Sequence, residues 1–253
     1  MFKLRLPVLL LVAIAVSVAV LQAQRRFGGG FGGHPLAEYF AKEAPKTDFA
    51  IARWYSPNWQ GDGWSHDWPQ SEEHILQIMH EVSLIDTDRL SYKVVDMGSK
   101  EIFRYPFAYM SHPGDIIPSD EEIHNLHEYI ERGGFIMHDD FGGQGQGPWE
   151  MDQFRSMLRR AFPDREMYEL KDDHPILRLY YSIDNLQMEH PMSHAKSTFY
   201  GFDDSHGRLA MVICYANDIG DYWEFIDQPM YKLKPSAEAL KIGVNIGIYS
   251  MTH

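Results

Sequence analysis

The chain has 253 residues, 44% of them apolar and 23% charged, a globular balance that excludes a disordered tail, a collagen-like fibre and a polytopic membrane protein. Asp and Glu number 36 against 23 Lys and Arg, a formal charge of −13, and such a surface repels phosphate backbones, so nucleic acid is not an expected partner. A single cysteine excludes an intrachain disulfide.

Residues 1–23 read as an export signal. Lys3 and Arg5 precede an uncharged apolar run of 14 residues, Val8 to Leu21, shorter than the ~20 residues of a spanning helix. Leu21-Gln22-Ala23 offers a small residue before a cut that leaves Gln24 first, and loss of Lys3 and Arg5 makes the chain two charges more negative. The expected address is periplasmic or extracellular, where a lone thiol is in keeping with an oxidising compartment. Membrane anchoring through an uncleaved 1–23 is the alternative. Residues 24–46, with the tract FGGGFGG at 27–33, read as a Gly-rich linker and extension, because glycine at that density loses too much backbone entropy on ordering. Residues 47–253 show no internal repeat and read as one domain.

A strand at 48–54 leads into an aromatic- and glycine-rich loop at 55–69. Ile75, Ile78, Met79, Val82 and Ile85 recur at helical spacing and predict a helix over 71–85. Strands follow at 92–97 and 106–111, the second apolar throughout, as expected of a strand buried on both faces. Ser119 and Glu122 form a capping box for a helix with the stripe Ile123, Leu126 and Ile130, and Gly133-Gly134 ends it. A strand at 135–138, a helix at 149–162 and a strand at 209–215 come next. Pro235 opens a terminal helix whose Gly243 and Gly247 share one side. Alternating strands and helices with short connections give an α/β fold with a mostly parallel sheet between two helical layers.

The stretch 105–143 reads apolar strand, capped helix, Gly-Gly, apolar strand, then Asp139-Asp140-Phe141-Gly142-Gly143. This order resembles the class I glutamine amidotransferase-like fold, a flavodoxin-like three-layer sandwich whose nucleophilic cysteine sits on a sharp Gly-x-Cys-x-Gly turn. Aligned so, Asp140 stands where that cysteine would be and Gly142 matches the following glycine. A wider resemblance, to the bacterial family called domain of unknown function 4159 within that superfamily, rests on several spaced motifs. They are Arg104-Tyr105-Pro106-Phe107, Gly133-Gly134-Phe135 with Asp139-Asp140, Asp173-His174-Pro175-Ile176, Gly207-Arg208-Leu209-Ala210, Asp218-Ile219-Gly220 and Gly243-Val244-Asn245-Ile246. The resemblance implies a fold and no reaction. The only thiol, Cys214, lies within the apolar strand LAMVICY, where burial hides it and raises its pKa, so glutamine hydrolysis is not expected.

Asp139 and Asp140 stand at the carboxyl end of a parallel strand, where open α/β sheets bind ligands. Such a pair can hold the loop, bind a hard cation through oxygen, or serve as nucleophile or base. His138 alternates to the face opposite Asp139. His112 ends the neighbouring strand, and the resemblance implies backbone donors near Gly114. Trp54, Tyr55, Asp62, Trp64, His66 and Asp67 lie at or after the end of the first strand, on the same edge. Their aromatics suit a sugar ring or a lid, or else pack against the domain itself. Gly142 and Gly143 begin a glycine loop without a lysine, a poor phosphate cradle. The sequence therefore favours an exported domain that binds a small ligand, a carbohydrate among the candidates, or an envelope protein partner. The alternative is a hydrolase working through Asp140, with Asp139, His112 and a divalent cation as candidate participants; no other cofactor is expected.

Overall fold

In the computed structural model, which describes residues 36–61, 63–142, 148–229 and 231–253, the apolar runs become a seven-stranded sheet with helices on both faces. The signal segment, most of the linker, Asp62 and Gly143 lie outside the described residues. In chain order the elements are α1 (Leu36–Ala41), β1 (Ile51–Tyr55), α2 (Gln70–Val82), β2 (Tyr92–Asp96), β3 (Phe107–Ser111), α3 (Asp120–Glu131), β4 (Phe135–Phe141), α4 (Pro148–Ala161), β5 (Tyr168–Glu169), β6 (Thr198–Asp203), β7 (Leu209–Tyr215), α5 (Ile219–Glu224) and α6 (Leu233–Thr252). The sheet and its covering helices belong to the compact unit Tyr39–His253. Among the described residues no helix is long and apolar enough to cross a membrane.

The strand order is β2-β1-β3-β4-β7-β6-β5. β1 runs parallel to β2 and β3, β3 to β4, and β4 to β7, while β6 is antiparallel to both its neighbours. The chain moves from β1 out to β2 and returns past β1 to β3. Connections from β1 and β3 therefore diverge, which marks their carboxyl ends as the place where open α/β sheets commonly bind ligands. One core layer joins Ala52, Trp54, Ala108 and Ile136 of the sheet to Leu126 and Ile130 of α3 and Phe154 and Leu158 of α4. The other joins Ile51, Phe107 and Met137 to Ile75 and Met79 of α2, Trp223 of α5, and Ile242 and Ile246 of α6.

Local signals account for most boundaries. The capping box of α3 is present, with Ser119 Oγ accepting from the Glu122 amide and Glu122 Oε2 accepting from the Ser119 amide. α2 stops at Val82, short of the Ile85 expected, because Ser83 Oγ donates to the Met79 carbonyl at 2.6 Å beside its own amide and turns the chain out. β4 continues three residues past His138, since Phe141 pairs with Tyr215 across a register shift. The passage from β2 to β3 holds only a 3-10 turn, Lys100–Arg104. α6 starts two residues before Pro235 and packs at close range: a Cβ on Gly243 would stand 2.6 Å from Trp223 Cζ2, and one on Gly247 2.8 Å from Met79 Cε. The turn 203–207 joins the β6–β7 hairpin, where Asp204 Oδ1 accepts from the His206 and Arg208 amides. His174 caps a 3-10 turn, its Nδ1 accepting from the Ile176 amide.

His138 does point away from Asp139. Its ring is fully buried, packs edge-on to Phe154 with centroids 4.8 Å apart, and neither ring nitrogen has a partner. Burial pushes its pKa down to about 3. As pH falls below the ordinary value near 6.5, the unfolded chain takes up this proton first, so stability is lost between those two values. His138→Leu removes that loss. Urea denaturation at pH 7 and pH 5 is expected to show wild type losing about 2 kcal/mol more than the variant; equal losses would contradict a neutral buried imidazole.

Candidate functional site

The edge is assembled around a buried arginine. Arg53, in the middle of β1, is fully buried. Its Nη1 bonds Glu72 Oε1 of α2 at 2.9 Å, its Nε the Trp64 carbonyl at 2.7 Å and its Nη2 the His66 carbonyl at 2.5 Å. The guanidinium also lies 4.6 Å over the Tyr109 ring. Burial alone would lower its pKa, but Glu72, Tyr109 and Asp67 together outweigh it and keep the group charged. Two of the three bonds end on backbone carbonyls of the loop after β1. The guanidinium therefore fixes where that loop lies, and His66 with it.

His66 meets His112, just beyond β3, and Asp140, near the end of β4. Asp140 Oδ2 is 2.9 Å from His66 Nδ1 and 2.8 Å from His112 Nε2, and the two nitrogens are 3.0 Å apart. Ser111 Oγ donates to the same Asp140 oxygen at 3.4 Å. Asp115 Oδ2 stands 3.5 Å from His112 Nδ1. Burial would lower His112, but Asp115 and Asp140 hold it up at about 10. Against the upward push of burial, hydrogen bonds from the two histidines hold Asp140 below its ordinary value. His112 and Asp140 are buried, whereas the His66 side chain keeps 34% of its exposure, so the cluster reaches the surface through His66.

Three backbone bends deliver these groups. Among the described non-glycine residues the left-handed region is occupied by Asp67 (φ 61°), His112 (φ 44°), Asp140 (φ 52°), His194 and Ala216. The first three belong to this site or border it. Each such conformation costs on the order of 1–3 kcal/mol and persists only where surrounding structure enforces it. At Asp140 the bend coincides with the register shift between β4 and β7. Behind it Gly142 (φ 78°) passes so close to Tyr215 that a Cβ would stand 2.2 Å from the ring. The Gly142 amide donates to Glu150 Oε2 at 2.6 Å, and burial pushes Glu150 up to about 7.

The aspartate pair divides its work. Asp139 Oδ2 accepts from Tyr109 Oη at 2.9 Å and from the Gly220 amide at 2.8 Å, tying β4 to β3 and to the start of α5. Burial pushes it up to about 7. Cys214 faces it, fully buried, its thiol raised well above the ordinary value by burial. Asp139 joins none of the ligand-capable groups described below, so of the two aspartates only Asp140 stands with the histidines.

The other candidates separate as clearly. Trp54 is sealed in the core with its ring 5.3 Å from Tyr129, because strand alternation sends it to the face opposite Arg53. Trp64 is buried, edge-on to Tyr39 and Tyr55, and Tyr55 meets Phe40, so these aromatics pack on one another rather than lining an opening. Gly114 is a packing position, where a Cβ would stand 2.6 Å from Glu150 Cβ.

Among the described residues, four sets of three side chains bring ligand-capable atoms within 4.8 Å of one another: His66, His112 and Asp140; His112, Asp115 and Glu150; Asp140, His190 and Asp218; and Asp67, Asp218 and Asp221. They form one chain through the shared His112, Asp140 and Asp218. Asp115, Glu150, His190, Asp218 and Asp221 escape a sequence reading of the strand ends. Asp218 alone carries a local signal, as it caps α5 by accepting from the Asp221 amide at 2.8 Å.

The chain belongs to the family described as domain of unknown function 4159, whose profile matches residues 50–251. A comparison with curated proteins finds no match.

Removing Arg53 should test what holds the edge together. Arg53→Met leaves Glu72 buried without its partner, and a loss of about 3–5 kcal/mol is expected in urea denaturation. A loss under about 1 kcal/mol would show that the loop is held by other contacts.

Proposed function

We propose that this protein is an exported hydrolase that works through a divalent cation held by His66, His112 and Asp140. The observation that carries the reading is the triangle of donor atoms, with sides of 2.9, 2.8 and 3.0 Å. One proton satisfies one edge of such a triangle, whereas a cation accepts all three lone pairs at once. Two imidazoles and one carboxylate suit Zn²⁺, Mn²⁺ or Fe²⁺. Asp115 beside His112 Nδ1 matches the carboxylate that commonly orients a ligating histidine.

A cation held by these three residues would polarise a bound water and lower its pKa. Glu150, with a pKa near neutrality, takes the water's proton. Water that loses its proton to Glu150 would attack the carbonyl carbon of an ester or amide, or displace the leaving oxygen at the anomeric carbon of a glycoside, and Glu150 would return the proton to the leaving group as its bond breaks. Trp149, 53% exposed and next to Glu150, offers a ring face to a sugar, which supports a carbohydrate among the substrate classes. The left-handed Asp140 and the strand order around β1 support membership of the amidotransferase-like superfamily, with a carboxylate where its enzymes hold sulfur. Export rests on residues 1–23, with membrane anchoring through that segment as the alternative.

Metal-stripped protein is expected to bind Zn²⁺ or Mn²⁺ in calorimetry, with affinity that climbs with pH because the cation displaces protons. Asp140→Asn and His66→Ala should each weaken binding at least about 10- to 100-fold and abolish cation-dependent turnover in an ester, amide and glycoside screen. Unchanged binding in both variants would overturn the site. Binding without turnover on any substrate would favour a cation-stabilised module that captures a ligand or an envelope partner.

A further inference from the structure

We infer that a second divalent cation binds beside the first, on Asp67, Asp218 and Asp221. This rests on the cation reading of His66, His112 and Asp140 and extends it to a two-cation centre.

One carboxylate oxygen from each of the three aspartates lies within 4.8 Å of the other two. Asp218 is only 4% exposed. Among the described residues Asp67 Oδ2, shut off from solvent, has no hydrogen-bond partner. Its position is set by the fold, since a Cβ on Gly220 at the start of α5 would stand 2.3 Å from that oxygen. The Asp67 carboxyl also meets those of Asp221 and Glu224, and Asp221 meets Asp218. The nearest guanidinium, Arg53, is already committed to Glu72 and to two carbonyls. Carboxylates gathered this closely either keep their protons or take a counter-charge, and a hard cation with oxygen ligands supplies the second.

The two sets are adjacent. Asp140 of the first and Asp218 of the second bring oxygens within 4.8 Å of each other in the set that includes His190. His190 is 1% exposed, and its Nδ1 accepts from the Met192 and Ser193 amides, which leaves the proton on Nε2. With that nitrogen protonated it is not a third imidazole ligand. The all-oxygen set favours Mg²⁺, Ca²⁺ or Mn²⁺ over the softer cations that imidazole attracts. Two neighbouring cations suit a substrate whose attacked group and leaving oxygen are clamped together.

The test titrates the metal-stripped full chain with Mn²⁺, counting ions by native mass spectrometry and reading spin coupling by electron paramagnetic resonance. Wild type is expected to take two ions with a dipole-broadened spectrum. Asp221→Asn and Asp67→Asn, each checked for folding by circular dichroism, should take one ion with an isolated-ion spectrum and lose at least about 10-fold in second-site affinity. His66→Ala should retain the second ion and lose the first. One ion in wild type, with both aspartate variants indistinguishable from it, would overturn the second site and leave the first standing. Two coupled ions in the Asp67→Asn, Asp221→Asn double variant would overturn it as well. No ion in any form would overturn the underlying cation reading itself.

Discussion

A buried guanidinium is the constraint on which the working edge depends. Taking Arg53 out of water is costly, and the cost is offset only because Glu72, two loop carbonyls and the face of Tyr109 surround it. Those partners come from α2, the loop after β1, and β3. One side chain thus binds three elements whose mutual placement would otherwise rest on loop packing alone. His66 is the residue whose backbone is held most tightly, and it closes the cluster with His112 and Asp140.

Strain and charge accumulate at the same end of the sheet. Left-handed backbone at Asp67, His112 and Asp140 would not survive on an unsupported loop. Here each is backed by dense packing: Gly142 against Tyr215, Gly114 against Glu150, Gly220 against Asp67. Carboxylates outnumber cationic partners at this edge, as they do over the chain. Negative charge gathered at one end of the sheet gives that edge a field that attracts cations.

Much of the scaffold was legible in the residues. Apolar runs, the Ser119–Glu122 box and the Gly133-Gly134 stop mark elements found in the fold, and alternation correctly sends His138 and Asp139 to opposite faces. The same alternation, applied to β1, would have separated Trp54 from the other candidates and turned Arg53 towards α2; grouping Trp54 with the loop that follows its strand concealed it. His66, His112 and Asp140 could be nominated one by one because each ends a strand or follows it. Their convergence could not, because it depends on the order β2-β1-β3-β4. Glu150, His190 and Asp218 lie far along the chain from His66, and nothing local to them announces that the sheet brings them together.

Adjacent aspartates on one strand also impose a parity rule. Asp139 fastens the start of α5, the helix that carries Asp218 and Asp221, while Asp140 turns towards the histidines. Because side chains alternate along a strand, shifting β4 by a single position would exchange the clamp and the ligand together. An insertion or deletion within Phe135–Asp140 therefore disturbs both the tie to α5 and the cluster with His66 and His112 at once, whereas the turn at 203–207, at the other end of the sheet, has room to vary in length.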